Sequence, residues 1–444
     1  MIFCCRFRRI PLVKACVLAL FLAFSAPVFA QLSSPADSRL DWFRDARLGI
    51  FIHWGIYAVN GIDESWSFHN GHISHEDYMK QLQGFTASKW NPDEWAGLIA
   101  ESGARYAVLT SKHHDGVALW PSECKGAITV VKDAPAQRDL IGPYMSALRA
   151  KGVKAGLYYS LIDWTYPDYP GFLRDKPRYT NDSARFKRFT EYNFCQVAEI
   201  SSLYKPDLVW FDGDWEQDAS TWKAKEIREL LLRDNSNVVI NSRLAGYGDY
   251  GTPENGPPVY RPKDPVWELC LTTNTSWGYQ PADTFYKTPG QVLGILVDCI
   301  YMGGNLLLDI GPREDGTIPQ QQIDILKAVG RWTHKHAEAV YGTLPGIPME
   351  CFHGPSCISK DSTTLYLFLQ YIPTGPVMLK GVKTKIASAE VLGTGISVPF
   401  ELTMKPSWSS YSGVNYITIP KELLDPEITV LKLTLAGKIS VDTP

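Results

Sequence analysis

Between residues 40 and 342, short apolar runs alternate with longer segments of helical periodicity. Seven runs have the length and the β-branched or aromatic content of buried strands: Gly49–Trp54, Arg105–Thr110, Lys154–Tyr159, Leu208–Phe211, Asn237–Asn241, Val266–Cys270 and Asn305–Asp309. Helices are predicted near 76–82, 92–102, 143–151, 183–204, 221–233, 290–301 and 320–338. Strands that alternate with helices pair in parallel, and this number of units predicts a (β/α)8-like barrel of the TIM type. An eighth strand is not evident, which leaves a distorted or incomplete barrel open.

The pattern changes after the segment Leu344-Pro-Gly-Ile-Pro348. Beyond it helical periodicity is absent, and short alternating segments are separated by Gly, Pro and Asp: Thr364–Leu369, Ala389–Leu392 and Ile428–Thr434. This pattern predicts an antiparallel β-sandwich over residues 346–444, after a catalytic barrel over 31–345. Few ionisable residues cluster in the second part, so we assign it to support or ligand contact and not to chemistry.

The first 30 residues have the features of a secretory signal peptide. Basic residues between Arg6 and Lys14 precede the apolar run Ala15–Phe24, and Val28-Phe-Ala30 supplies small residues before Gln31. The run is too short to span a bilayer, and no later segment is long enough. We therefore expect cleavage after Ala30, export to the periplasm or the medium, and no membrane span.

Charge restricts the class of partner. The chain has 44 Lys and Arg against 47 Asp and Glu, a net charge of −3. Removal of the first 30 residues, which hold four basic and no acidic side chains, makes it −7. This acidic balance argues against nucleic acid as a partner and suits a neutral substrate.

The cysteines do not form a recognisable framework. Six of the nine lie beyond residue 30, too widely spaced for a zinc site or a dense set of disulfides. Cys351 and Cys357 are close enough in sequence to bridge in an oxidising compartment. Cys195 and Cys299 lie in helical or apolar patterns and are predicted to be buried thiols.

The stretch Asp207–Trp215 carries a chemical signal. Its apolar half predicts a strand buried on both faces, and Asp212 follows at the C-terminal end, before Gly213. A carboxylate there is costly to bury unless it is hydrogen-bonded or reactive, and barrel enzymes do their chemistry at these strand ends. A capping or turn role for Asp212 or Asp214 explains the stretch equally well by itself.

Other polar and aromatic residues fall at the C-terminal ends of separate strands, which predicts a pocket. They are His53, His113, His114, Asp115, Tyr158, Tyr159, Trp210, Arg243 and Glu268. Adjacent histidines on an extended segment point to opposite faces, and no H-x-x-x-H or Cys pair is present, so we expect no metal. Hydrogen bonds to sugar hydroxyls are the expected task. No G-x-S-x-G elbow and no G-x-G-x-x-G after a strand occur, so we expect no serine nucleophile and no cofactor.

Carboxylate pairs remain as candidate chemistry. Hydrolysis of a glycosidic bond needs one carboxylate to attack or to activate water, and a second carboxyl group to protonate the leaving oxygen. Asp212 is the candidate for the first role, and Glu254 or Glu268 for the second. The plain alternatives are a solvated loop residue at 254 and, at 268, a structural carboxylate paired with an arginine such as Arg243. The 14 Trp and 22 Tyr suit stacking on sugar rings.

Five motifs occur in order between about residues 38 and 345. They are Phe51-Ile-His-Trp-Gly55, Thr110-Ser-Lys-His-His-Asp-Gly116, Asp207-Leu-Val-Trp-Phe-Asp-Gly213, Trp267-Glu-Leu-Cys270 with Ser276-Trp-Gly-Tyr279, and Gly303-Gly-Asn-Leu-Leu-Leu-Asp-Ile-Gly-Pro312. Together they resemble the motifs of the α-L-fucosidases of glycoside hydrolase family 29. The resemblance implies removal of terminal α-L-fucosyl residues from fucosylated oligosaccharides or glycoconjugates, with Asp212 as nucleophile and with configuration retained.

The resemblance also implies a set of sugar contacts. These are His53, Glu64, Trp66, His113, His114, Tyr158, Trp210, Arg243, Glu268 and Trp277. Many relatives have Glu and Trp adjacent where this chain has Glu64-Ser-Trp66. Several bacterial members place the acid/base in a loop resembling Thr252-Pro-Glu254, and others place it on the Glu of a Trp-Glu motif. We therefore predict Glu254 as the acid/base, with Glu268 as the alternative.

Two other functions compete with this prediction. An inactive fucose-binding module would keep the His, Trp and Arg contacts without needing Asp212. A retaining glycosidase or transglycosidase of other specificity, with Glu268 as acid/base, would use the same barrel.

Overall fold

The computed structural model describes residues 37–170, 172–173, 176–177, 182–403, 408 and 410–442. The predicted signal peptide lies outside these residues. Within them, every helix is too short or too polar to cross a bilayer.

Seven parallel strands form one sheet, and all seven coincide with predicted strands. They are β1 (Leu48–Ile52), β2 (Tyr106–Lys112), β3 (Lys154–Ser160), β4 (Leu208–Asp212), β5 (Val239–Ile240), β6 (Glu268–Thr272) and β7 (Asn305–Ile310). Their order across the sheet is β6-β7-β1-β2-β3-β4-β5. All their residues except Lys154 are buried, because helices cover the outside and side chains fill the interior.

The segment 249–254 takes the eighth place in the barrel, between β5 and β6. The Asp249 N–H donates to the Ile240 carbonyl (2.7 Å), and the Gly251 N–H donates to the Val266 carbonyl (3.0 Å). The Glu268 N–H donates back to Gly251 (2.9 Å). Only isolated β-bridges form in this segment, so it does not need the continuous apolar run of a full strand. The hydrophobic pattern of the sequence therefore did not predict it. The predicted (β/α)8-like barrel is confirmed, with its distortion at this place.

A helix lies at each predicted place, with ends that differ by a few residues, and three short helices were not predicted: Asp41–Ala46, Trp66–His69 and Val130–Asp133. The α-helices are Asp41–Ala46, Trp66–His69, His75–Met79, Pro92–Glu101, Val130–Asp133, Ile141–Ala150, Ser183–Tyr204, Ala219–Trp222, Ala224–Asp234, Pro289–Met302, Gln320–Lys335 and Ala337–Val340. Local sequence sets the ends. Thr288 and Gln291 form a capping box at the start of Pro289–Met302, and Gly303, at φ +87°, ends that helix.

The C-terminal part consists of two antiparallel sheets. The larger contains Leu344–Pro345, Ser356–Ile358, Thr364–Leu369, Thr429–Leu435, Ile386–Val391 and Ile396–Ser397, in that spatial order. The smaller contains Val377–Lys380, Val414–Ile417 and Phe400–Thr403. The predicted antiparallel sandwich is thus confirmed as a fold. The predicted division after residue 345 stays a prediction, although Leu344–Pro345 already pairs with the larger sheet.

One strand of the sandwich also packs against the barrel, because its side chains alternate between the two cores. In Thr364–Leu369, the side chains of Leu365 and Leu367 enter the core of the sandwich, whereas those of Tyr366 and Phe368 join the core of the barrel. The Trp332 Nε1–H also donates to the carbonyl of Ile428 (2.8 Å). The strand Thr364–Leu369 is therefore apolar on both faces and packs the sandwich against the barrel.

The cysteine predictions are corrected in two places. Cys195 is joined to Cys124, 71 residues earlier, whereas we predicted a buried thiol. Cys351 and Cys357 are both free, because Cys351 packs in the sandwich core and Cys357 on the opposite face, in the barrel core. Cys299 is a buried free thiol, as predicted.

The Cys124–Cys195 bond closes a 71-residue loop, and its loss should lower the free energy of unfolding by about 4 kcal/mol. Denaturant titration of the Cys124→Ser/Cys195→Ser variant measures this. Dithiothreitol should destabilise the wild type and leave the variant unchanged. A non-reducing peptide map in which Cys124 and Cys195 are not linked would contradict the pairing.

Candidate active site

A cavity of about 230 Å³ lies at the C-terminal ends of the barrel strands. Its lining comprises Phe51, His53, Glu64, Trp66, His113, Tyr158, Trp210, Asp212, Trp215, Arg243, Glu254, Cys270 and Trp277. Sites for drug-sized ligands measure about 300–1,000 Å³, so this smaller volume suits one sugar ring. Of the twelve predicted site residues, all but His114 and Glu268 line it.

Asp212 ends β4 with its carboxylate held from two sides. The Tyr158 hydroxyl donates to Oδ2 (2.9 Å), and Arg243 Nη1 donates to Oδ1 (2.8 Å). The chain turns at once through Gly213, at φ +86°, where a Cβ would lie 2.5 Å from Ile162. Only glycine fits this turn. The carboxylate is thereby fixed at the wall of the cavity.

Arg243 joins the two candidate catalytic carboxylates, because its Nη2 donates to Glu254 Oε2. Its guanidinium lies 4.6 Å from the ring centroid of Trp210. Burial opposes its charge, but the carboxylates of Asp212 and Glu254 outweigh that effect and raise the pKa of Arg243. Arg243 therefore stays a cation.

Glu254 is exposed at the mouth of the cavity, on backbone that is held to β6. The Cys270 N–H donates to the carbonyl of Pro253 (3.1 Å), and the Asn255 N–H donates to the carbonyl of Cys270 (3.1 Å). These two bonds flank Glu254. Its backbone is therefore fixed while its side chain has room to move.

Glu268 lies in the barrel interior, two residues before the cavity-lining Cys270. Its carboxylate accepts from the Tyr106 hydroxyl (2.5 Å), from Trp210 Nε1 (3.0 Å) and from the Tyr250 hydroxyl (3.4 Å). Burial raises its pKa to about 7. In the plain alternative for Glu268, an arginine was its partner. Three neutral donors hold the side chain instead, and Arg243 donates to Asp212 and Glu254.

The rings of His113 and His114 lie side by side, with centroids 4.4 Å apart. Our expectation that they point to opposite faces is wrong, because β2 ends at Lys112 after an irregularity in its register, so the pair is not extended. His113 Nδ1 lies 2.5 Å from Ser65 Oγ, and His114 Nδ1 lies 2.6 Å from Ser160 Oγ. Burial lowers the pKa of both imidazoles, which are therefore neutral. Although His114 does not line the cavity, its Nε2 is 3.6 Å from the Asp212 carboxylate.

His53 and Glu64 follow β1 in the chain and also line the cavity. His53 Nδ1 lies 2.7 Å from the Asp309 carboxylate, and its ring centroid lies 5.0 Å from that of Trp277. Burial lowers the pKa of His53 well below its usual value. Burial raises the pKa of Glu64 to about 7, while its Oε1 accepts from the Gly278 N–H (2.7 Å).

The serine between Glu64 and Trp66 does not separate their side chains from the site. Both residues line the cavity, and Ser65 itself contacts His113. Trp66 stands edge-on to His114, with ring centroids 5.6 Å apart.

Sequence reasoning missed three lining residues, Phe51, Trp215 and Cys270. Strand alternation could have found two of them, because Phe51 precedes His53 by two positions and Cys270 follows Glu268 by two. Trp215 lies three residues after Asp212, in a turn for which periodicity gives no direction.

Within the described residues, one group of three side chains could in principle ligate a metal ion: Cys124, Cys195 and Glu199. Two of these three form the disulfide. The expectation of no metal stays a prediction.

Comparisons with known proteins agree with the geometry. The family model described as Alpha-L-fucosidase matches residues 26–338. The tissue α-L-fucosidase of Rattus norvegicus is 32% identical over 384 residues, which cover 78% of this chain and 80% of the relative.

Two solved structures are similar over almost their whole length. α-L-Fucosidase isoenzyme 1 from Paenibacillus thiaminolyticus has a TM-score of 0.81 at 33% identity, covering 90% of this chain and 99% of the other. A family 29 α-L-fucosidase from Bacteroides thetaiotaomicron, trapped as a covalent intermediate in complex with 2-fluoro-fucosyl fluoride, has a TM-score of 0.77 at 27% identity, covering 90% and 97%. This chain therefore belongs to the α-L-fucosidases of glycoside hydrolase family 29 and is a retaining glycoside hydrolase.

Proposed function

We propose that this protein is exported and removes terminal α-L-fucosyl residues from fucosylated glycans, with Asp212 as nucleophile and Glu254 as acid/base. The observation that carries the proposal is the guanidinium of Arg243, which donates to both carboxylates at the wall of one sugar-sized cavity. A retaining glycosidase needs two carboxyl groups that flank one glycosidic bond.

In the first step, the Asp212 carboxylate attacks the anomeric carbon of fucose. The bond from that carbon to the leaving oxygen breaks, and the Glu254 carboxyl proton passes to that oxygen. In the second step, the Glu254 carboxylate takes a proton from water as the water oxygen attacks the same carbon. The ester bond to Asp212 breaks, and fucose leaves with its configuration retained.

Burial and position favour Glu254 over Glu268 as the acid/base. Glu268 is buried, does not line the cavity and already accepts from Tyr106, Trp210 and Tyr250. Glu254 lines the mouth, where a leaving group passes. For the acid step its side chain must exchange Arg243 for the glycosidic oxygen, and its exposure gives room for that movement.

The remaining lining residues suit the recognition of one deoxyhexose. Neutral imidazoles at His53 and His113 can each donate or accept one hydrogen bond with a sugar hydroxyl. Trp66 and Trp277 supply apolar faces for the ring carbons and the methyl group. A binding module without activity has no need of the carboxylate at Asp212, so this arrangement weighs against that alternative.

Export is supported by two independent observations. The first 30 residues have the signal-peptide pattern, and the Cys124–Cys195 disulfide suits an oxidising compartment.

Expression of the whole chain in a Gram-negative host should yield mature protein that begins at Gln31, in the periplasm or the medium. N-terminal sequencing of each cell fraction measures this. Uncleaved protein confined to the cytoplasm would contradict export.

Replacement of Asp212 by Gly should lower kcat on an aryl fucoside at least roughly 10³-fold, because the attacking carboxylate is lost. Azide should restore turnover and give fucosyl azide of inverted configuration, identified by NMR. Asp214→Asn is the matched control: the Asp214 carboxylate accepts from the Ala245 N–H, so azide should form no product there. Full activity of Asp212→Gly without azide would exclude Asp212 as the nucleophile.

Glu254→Ala should lower kcat/KM about 10²- to 10⁴-fold on substrates with poor leaving groups and much less on fucosyl fluoride, which needs no acid. Azide should give fucosyl azide of retained configuration, because it enters from the acid/base side. Glu268→Gln should lower kcat/KM by a similar factor on both substrates. If the Glu268 variant alone shows a loss that depends on the leaving group and is rescued by azide, Glu268 and not Glu254 is the acid/base.

A further inference from the structure

An exposed tryptophan stands at the mouth of the cavity. Among the thirteen lining residues, all of which the structure describes, Trp215 and Glu254 alone are exposed, and 55% of Trp215 is accessible. The other lining aromatic rings are buried or half-buried. A group that leaves the cavity therefore passes between the indole of Trp215 and the carboxylate of Glu254.

The backbone under this indole is held in place. Trp215 is the middle residue of the 3-10 turn Asp214–Glu216, which follows the glycine turn after β4. The Asp214 carboxylate accepts from the Ala245 N–H (2.8 Å), and the Asp214 carbonyl accepts from Trp222 Nε1 (2.9 Å). The turn is thus tied to two neighbouring segments. A ring on such a backbone loses little conformational freedom when it binds a ligand.

The orientation of the ring leaves a surface for stacking. Its only described ring contact is with His114, at 6.2 Å between centroids and nearly perpendicular (87°). A large aromatic surface at the edge of a cavity suits the apolar C–H face of a pyranose. The cavity itself has room for one ring, so a second sugar of the substrate must lie outside it, at this edge.

We propose that Trp215 binds the sugar from which fucose is released, as a platform on which a hexopyranose of the leaving glycan stacks. This inference rests on the proposed function, because it assumes that fucose occupies the cavity and that Glu254 protonates the leaving oxygen. It makes Trp215 a determinant of specificity for glycan leaving groups.

The test compares leaving groups with and without a ring. The substrates are α-L-fucosyl-galactose, α-L-fucosyl-N-acetylglucosamine and α-L-fucosyl fluoride. The fluoride has no ring at the leaving position, whereas an aryl fucoside has one that can stack as well. Trp215→Ala should lower kcat/KM about five- to tenfold on at least one disaccharide and less than about twofold on the fluoride. Trp215→Phe should recover part of the loss.

Trp408→Ala is the matched control, since it removes an equally large exposed ring (87% accessible) from the C-terminal part. It should leave all three values of kcat/KM unchanged. Retained fluoride hydrolysis by Trp215→Ala also shows that the variant is folded.

Two outcomes would overturn the inference. An equal loss on the fluoride and the disaccharides would place Trp215 in fucose binding, and no loss on either disaccharide would remove it from leaving-group recognition. Failure of the wild-type protein to hydrolyse fucosyl fluoride would instead overturn the proposed function, and this inference with it.

Discussion

The active-site geometry depends on one guanidinium that is shared by two carboxylates. Arg243 donates to Asp212 and to Glu254, which come from different segments of the barrel wall. Two anions in one cavity repel each other and lose solvation, and a cation between them offsets both effects. Trp210 fixes the cation from the side, because its ring lies 4.6 Å from the guanidinium while its Nε1–H is bonded to Glu268. The positions of both carboxylates thus follow from contacts deeper in the barrel.

Side chains of the site are held by hydrogen bonds with residues on the adjacent strand. His114 follows β2 and is held by Ser160 of the neighbouring β3, just as the Asp309 carboxylate of β7 faces the imidazole of His53 after β1. The Ser160 hydroxyl donates to the carbonyl of Ile162 (2.6 Å), so its oxygen accepts from His114 Nδ1–H. This fixes the neutral tautomer and leaves Nε2 as an acceptor. The pairing of neighbouring parallel strands therefore determines the tautomer of His114 as well as its position.

The sequence predicted those features that periodicity and strand ends determine. The seven strands were found because each is an uninterrupted buried run, and Asp212 was found because it ends one of them. Contacts between residues that are far apart in the sequence could not be predicted from it. The bond between Cys124 and Cys195 spans 71 residues, and the eighth place of the barrel is made by a few bridges around Tyr250 and Gly251. Trp215 was not predicted because it lies in a turn, where no regular periodicity indicates the direction of a side chain.

Glu268 shows how neutral donors can hold a carboxyl group inside a barrel. Burial raises its pKa from 4.5 to about 7, so its contribution to stability is fully present below pH 4.5 and is lost as the pH rises towards 7. Above neutral pH the ionised group costs about 3 kcal/mol, from 1.36 kcal/mol per pKa unit. An apolar residue would avoid this cost but would leave Trp210 Nε1 and the hydroxyls of Tyr106 and Tyr250 without their acceptor. Because Trp210 flanks Arg243, the contacts of Arg243 with Asp212 and Glu254 depend on the acceptor that Glu268 provides.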